Sequence, residues 1–225
     1  MYARSIANHA GYCLLGSMLL TGCDEGSDPS VAESSGAPSQ ISANADCNAD
    51  FCDDFSDGTD AKWAPQGGLW QVIDNEYVGT GVQDACDTGF SSNETLIRDL
   101  SGRDIELRVD MRSLERVDKG IVLRSTGPGE QIELNFRAAP FSDLVVQEVI
   151  ACDLHLLSFD PLPHEMGQTI NVQVRLVGNI LKVWMDGELV LERCYDFRAS
   201  SGAVGLAVIN GGVSAFDNVQ VDGLN

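Results

Sequence analysis

The chemistry this sequence could do rests with its carboxylates and its cysteines: Asp and Glu number 34 and Cys 7. Asp53, Asp54 and Asp57 crowd one short stretch, and Asp217 stands in Phe216-Asp217-Asn218-Val219. The acidity of the chain permits calcium binding, since that ion takes about six to eight oxygen ligands, many of them carboxylates. These acids serve equally well as solvated turn residues, with Asp217 capping a bend. An EF-hand loop is excluded, because counting from Asp53 places Phe55 on a ligand position and Ala64 where the closing glutamate belongs. Sugar-bond hydrolysis needs two carboxylates across a cleft. Glu130 and Glu133 are three apart, on opposite faces of a strand. Glu106 and Asp110 share a face, but Arg108 lies between them and suits a salt-bridged surface as well as an acid/base pair. Cys152 and His155 have metal-like spacing without a second pair to complete a site. His164, beside Pro161 and Pro163, reads as a loop residue. No nucleophile elbow and no phosphate-cradling glycine loop occurs.

The N-terminus reads as a targeting segment. Arg4 supplies a weak positive charge, and Ala10 to Leu20 is apolar and small, too short to cross a bilayer. Leu20-Thr21-Gly22-Cys23 follows the order of a lipobox. Its small residues fit a signal peptidase, and its thiol accepts diacylglycerol. Residues 1–22 are then a lipoprotein signal peptide, and Cys23 is acylated and holds the protein to a membrane of the bacterial cell envelope. The alternative is an ordinary cleaved signal with an incidental cysteine. Asp24 would retain the protein at the inner membrane in enteric bacteria, a rule other bacteria do not all follow. Residues 23–46 carry almost no large apolar side chain and cannot bury enough surface to offset ordering, which predicts a flexible tether.

With Cys13 removed and Cys23 lipidated, Cys47, Cys52, Cys86, Cys152 and Cys194 remain. An odd set outside the cytoplasm predicts two disulfides and one free thiol. Cys47 and Cys52 could close a local loop, or either could reach Cys194, and Cys86 could bridge to Cys152. The formal net charge of −20 repels phosphate backbones and excludes nucleic acid as a partner.

From Phe51 onward, period-two alternation predicts strands. Ile105, Leu107, Val109 and Met111 alternate with Glu106, Arg108, Asp110 and Arg112. Similar patterns occur over 132–137, 172–176 and 181–185, and further strands are expected at 70–77, 120–124, 144–150, 203–208 and 215–221. Gly178-Asn179 and Asp186-Gly187 are turn dipeptides. No segment keeps a helical period over three turns. The expectation is one all-β domain over residues 47–225, an antiparallel jelly-roll β-sandwich.

Three stretches carry a family resemblance. They are Phe51-Cys52-Asp53-Asp54-Phe55-Ser56-Asp57-Gly58 with Gly68-Leu69-Trp70-Gln71-Val72; Gly120-Ile121-Val122-Leu123-Arg124 with Ile132-Glu133-Leu134; and Gly202-Ala203-Val204-Gly205-Leu206 with Phe216-Asp217-Asn218-Val219. Val183-Trp184-Met185-Asp186-Gly187 resembles the hairpin before the last strands. Together they resemble the concanavalin A-like lectin/glucanase superfamily, and within it laminin G-like and 3-keto-disaccharide hydrolase-type domains. The resemblance implies that the first and last strands pair, which would let Asp53, Asp54 and Asp217 hold a structural Ca2+. The Glu-x-Asp-x-x-Glu run of the glucanase branch is absent. The hydrolase resemblance points to Arg124 and Glu133 on neighbouring strands, as a sugar grip and a proton acceptor or as a cross-strand ion pair. Arg108, Asn135, Gln147 and Trp184 could share their face, with Trp184 as a stacking surface or as packing. The implied partner is a glycan or cell-envelope polymer, bound without catalysis; the other reading is a glycan-active hydrolase.

Overall fold

The computed structural model describes residues 47–82 and 92–224. The signal segment, Cys23, the tether and Cys86 lie outside the described residues. Every regular element described is a strand. In chain order these are β1 (Phe51–Asp53), β2 (Trp63–Pro65), β3 (Leu69–Ile73), β4 (Glu76–Thr80), β5 (Ser92–Gly102), β6 (Ile105–Glu115), β7 (Asp118–Gly127) and β8 (Glu130–Arg137). There follow β9 (Asp143–Ile150), β10 (Asp153–Pro161), β11 (Ile170–Val177), β12 (Ile180–Met185), β13 (Glu188–Cys194), β14 (Gly202–Ile209) and β15 (Val213–Gly223). Eight strands form one antiparallel sheet in the order β13-β12-β11-β6-β15-β4-β3, with β1 added to β15. Seven form the other, β10-β9-β8-β7-β14-β5-β2. The result is the expected jelly-roll sandwich, with the first and last strands paired through Phe51↔Val221 and Asp53↔Val219.

The two sheets differ in what covers their outer faces. In the eight-stranded sheet, Ile105, Leu107, Val109 and Met111 are buried, while Glu106, Arg108, Asp110 and Arg112 are half-exposed. One face packs and the other is solvated, which is what period-two alternation encodes. In the seven-stranded sheet, β8 is buried at every position from Gln131 to Phe136, and β9 from Leu144 to Val149. Between the layers, Ile121, Leu123, Ile132, Leu134, Phe136, Val204 and Leu206 meet Leu107, Val109, Val172 and Val174 in one core.

The single strand expected over 70–77 is instead the β3–β4 hairpin. Asp74 and Asn75 both take positive φ, 52° and 64°, the backbone a type I′ turn requires and one that Asp and Asn tolerate better than most residues. Strands β5, β10 and β13 were not expected, because none alternates cleanly. Trp63 and Trp70 pack in an aromatic cluster with Phe55, Tyr77 and Phe216. Cys47 and Cys52 are bonded to each other, so neither reaches Cys194. Cys152 and Cys194 are each engaged in a disulfide as well, so none of the four described cysteines is the expected free thiol.

Candidate functional site

Side chains of the β8 positions Gln131, Glu133, Asn135 and Arg137 share one face, the outer face of the seven-stranded sheet. Register carries that face outward in rows: Gln131–Val149–Leu154, Glu133–Gln147–Leu156 and Asn135–Val145–Phe159. On the other side of β8 the floor is made of small or apolar residues, Gly120, Val122, Gly205 and Ala207. Across this floor β5 reaches β8. The Ser92 hydroxyl donates to Glu133 Oε2 at 2.5 Å, and Gln131 Nε2 donates to Glu94.

Glu133 is fully buried. Its other oxygen accepts from Gln147 Nε2 at 2.6 Å. Burial pushes its carboxyl above the ordinary glutamate range, against the hydrogen bonds from Ser92 and Gln147. Asn135 Nδ2 donates to Asp118 Oδ1 at 2.8 Å. Two carbonyl oxygens in this row, Gln131 Oε1 and Asn135 Oδ1, are buried and accept no hydrogen bond. An amide oxygen left so costs about 1–3 kcal/mol, and such atoms are rare enough in folded proteins to call for a donor.

Toward β10 the face opens. Leu154, Leu156 and Phe159 are exposed, as is Phe141 of the β8–β9 loop. Arg137 Nε and Nη2 donate to the two oxygens of Asp143 at 2.7 and 2.6 Å, and its guanidinium lies over the Phe141 and Phe159 rings.

The residues expected from sequence to form one ligand face are therefore divided. Glu133, Asn135 and Gln147 come together. Arg108 and Trp184 lie on the outer face of the other sheet, where Arg108 pairs with Glu106, and Trp184 stands opposite Gln173 and Leu189. Arg124 is neither a sugar grip beside Glu133 nor its ion-pair partner. It sits at a bulge with φ 50°, and its Nε, Nη1 and Nη2 donate to the carbonyls of Arg103, Ala199 and Gly178 at 2.9, 3.0 and 2.5 Å. Periodicity assigns a residue to a face of its own strand, not to one sheet or the other, and it cannot foresee a bulge.

The expected calcium ligands also part. Asp53 turns inward, where Oδ2 accepts from Trp63 Nε1 at 2.9 Å and Oδ1 from the Phe55 amide at 3.2 Å. Asp54 is exposed and bonded to Ser56. Asp217 lies on the solvated face, where burial and the charges of Asp110, Glu76 and Asp54 push its carboxyl up to about 6. The three do not make a ligand set, and among the described residues no group of three or more His, Cys, Asp and Glu side chains is arranged to hold a metal. Cys152, bonded to sulfur, is no metal ligand with His155.

One buried group was missed entirely. Lys119 points into the end of the sandwich with no exposed surface, and its Nζ lies 2.8 Å from His164 Nε2. Burial lowers its amine to about 7. His164 is in a loop, as expected, but buried, with Nδ1 2.9 Å from the Leu162 carbonyl.

The architecture is an antiparallel jelly-roll β-sandwich of two sheets. Among solved structures it is similar to carbohydrate-binding module CBM66 of Bacillus subtilis, at 18% identity over 72% of this chain and 95% of that one, TM-score 0.62. It is also similar to a Bacillus subtilis protein of unknown function with a galectin-like fold, at 14% identity over 79% and 97%, TM-score 0.59. A third is the Crh5 transglycosylase, at 12% identity over 78% and 84%, TM-score 0.58. These likenesses define the fold. No family model and no curated protein sequence matches the chain.

Proposed function

We propose that this chain is a non-catalytic glycan-binding lipoprotein, anchored through Cys23 to the bacterial envelope and binding carbohydrate or cell-envelope polymer on the outer face of its seven-stranded sheet. The observation that carries the reading is the pair of buried, donor-less carbonyl oxygens of Gln131 and Asn135 flanking Glu133. A sugar is rich in hydroxyl donors, and an acceptor-lined row is complementary to it. Support also comes from the fold, shared with a carbohydrate-binding module. The hydrolase reading of the 3-keto-disaccharide type loses the Arg124–Glu133 pairing it relied on. The calcium reading loses Asp53, and calorimetry with calcium and then chelator tests what Asp54 and Asp217 could still hold.

A glycan array probed with wild type and Glu133→Gln tests the binding. The wild type gives signal on at least one glycan, and the variant, whose amide cannot accept from both Ser92 and Gln147 and so disturbs the polar row, loses about tenfold or more in affinity. An array blank for both proteins would sink the reading. The anchor is tested separately by metabolic labelling with an alkynyl fatty acid. Label enters the wild type and not Cys23→Ser, and an unlabelled wild type would remove the lipoprotein claim.

A further inference from the structure

Phe141 and Phe159 leave 56% and 55% of their surface in solvent, an unusual fraction for aromatic side chains that hold fixed positions. Both rings are pinned. The Arg137 guanidinium lies 4.6 Å from the Phe141 centroid and 5.4 Å from that of Phe159, and Asp143 holds the guanidinium by both its oxygens. On the opposite side of β10, the Asp160 carboxylate accepts from Arg193 at 3.0 Å, and the Ser158 hydroxyl is 2.7 Å from that of Tyr195. These bonds keep β10 from rolling inward to bury Phe159. Arg137, Asp143 and Phe159 lie on the same face as Asn135, with Phe159 two strands from it along one row, about 10 Å away.

We infer that Phe141, Arg137 and Phe159 form a stacking subsite for the apolar face of a neutral sugar unit in a glycan chain. The inference rests on the glycan-binding reading and extends it to a second contact surface and a ligand class. The faces of sugar rings are lined with C–H groups, which the electron-rich face of an aromatic ring attracts, while the hydroxyl edge of a ring resting on Phe159 turns toward the Asn135 row. Neutrality follows from charge. The chain carries −20, and Arg137, the platform's own cation, is already matched by Asp143, so a uronic-acid or phosphorylated polymer meets repulsion there.

Native gels containing soluble xylan, mixed-linkage β-glucan, levan or polygalacturonate separate the outcomes. The wild type is retarded in at least one neutral gel and not by polygalacturonate. Phe141→Ala and Phe159→Ala each weaken retardation about fivefold or more, with melting temperatures close to wild type because the rings are exposed. Wild-type retardation that survives both phenylalanine variants but is lost in Glu133→Gln overturns the subsite and leaves the glycan-binding reading standing. No retardation of wild type in any gel overturns both. Retardation by polygalacturonate overturns the assigned class. If sedimentation shows a wild-type dimer that Phe159→Ala dissociates while retardation is unchanged, β10 is a self-association edge and the subsite is overturned.

Discussion

Adjacent residues of like chemistry can have opposite roles, and Asp53 and Asp54 are such a pair. The β1 pleat sends Asp53 inward to accept from the Trp63 indole and the Phe55 amide, and it sends Asp54 out to a turn. Asp53→Ala strands two buried donors and should lower stability by about 2–4 kcal/mol in denaturant titration, whereas Asp54→Ala should stay within about 0.5 kcal/mol. Equal effects would contradict the inward orientation. The same contrast shows what was readable at this scale. The residue types for a polar site could be picked out, and Glu133, Asn135 and Gln147 do stand together. Burial could not be picked out. The bond from Ser92 to Glu133 joins positions 41 apart, and that between Lys119 and His164 joins positions 45 apart, so no local pattern signals either.

Among the elements, strands with one wet face were legible by their alternation; those buried on both faces were expected as strands over 120–124, 132–137 and 144–150, but nothing local told of their double burial. β6, β11 and β12 announce themselves because solvent covers half of each. β8 keeps its alternation, but its polar positions Glu133 and Asn135 are as buried as its apolar ones, and β7 and β9 carry short apolar runs over 121–123 and 144–146. β10, apolar and exposed, resembles neither kind. Arg124 belongs to this scale, since its role is to join elements. From the β7 bulge it gathers the carbonyls after β5, between β11 and β12 and before β14. Lysine has the charge but not the planar fork, so Arg124→Lys should cost about 1–3 kcal/mol by chemical denaturation while glycan affinity is unchanged. Lost affinity at unchanged stability would bring Arg124 back into the ligand site.

For the whole molecule, the buried Lys119 amine sets a pH dependence. Its folded value of about 7 lies below the ordinary lysine value of 10.5, so between these limits the unfolded chain binds more protons than the folded one. Stability from this group therefore rises as pH climbs from about 7 toward 10.5, and it is lost as pH falls to the folded value. Lys119→Met should flatten that rise in melting temperature measured from pH 7 to 10, and a slope identical to wild type would refute the assignment. The pairing of β1 with β15, extended by the Gly223 amide donating to Asp50 Oδ2 at 2.9 Å, has a mechanical meaning as well. A pull arriving from the N-terminal side reaches Cys47 first, and the bond to Cys52 routes it past residues 48–51 directly into β1. The segment cannot pay out slack under load. Force enters the sandwich through β1 into β15, an inner strand of one sheet, while the candidate ligand face is carried by the other. Under the proposed anchoring and polymer binding, tension would then cross the core from layer to layer instead of unzipping an edge.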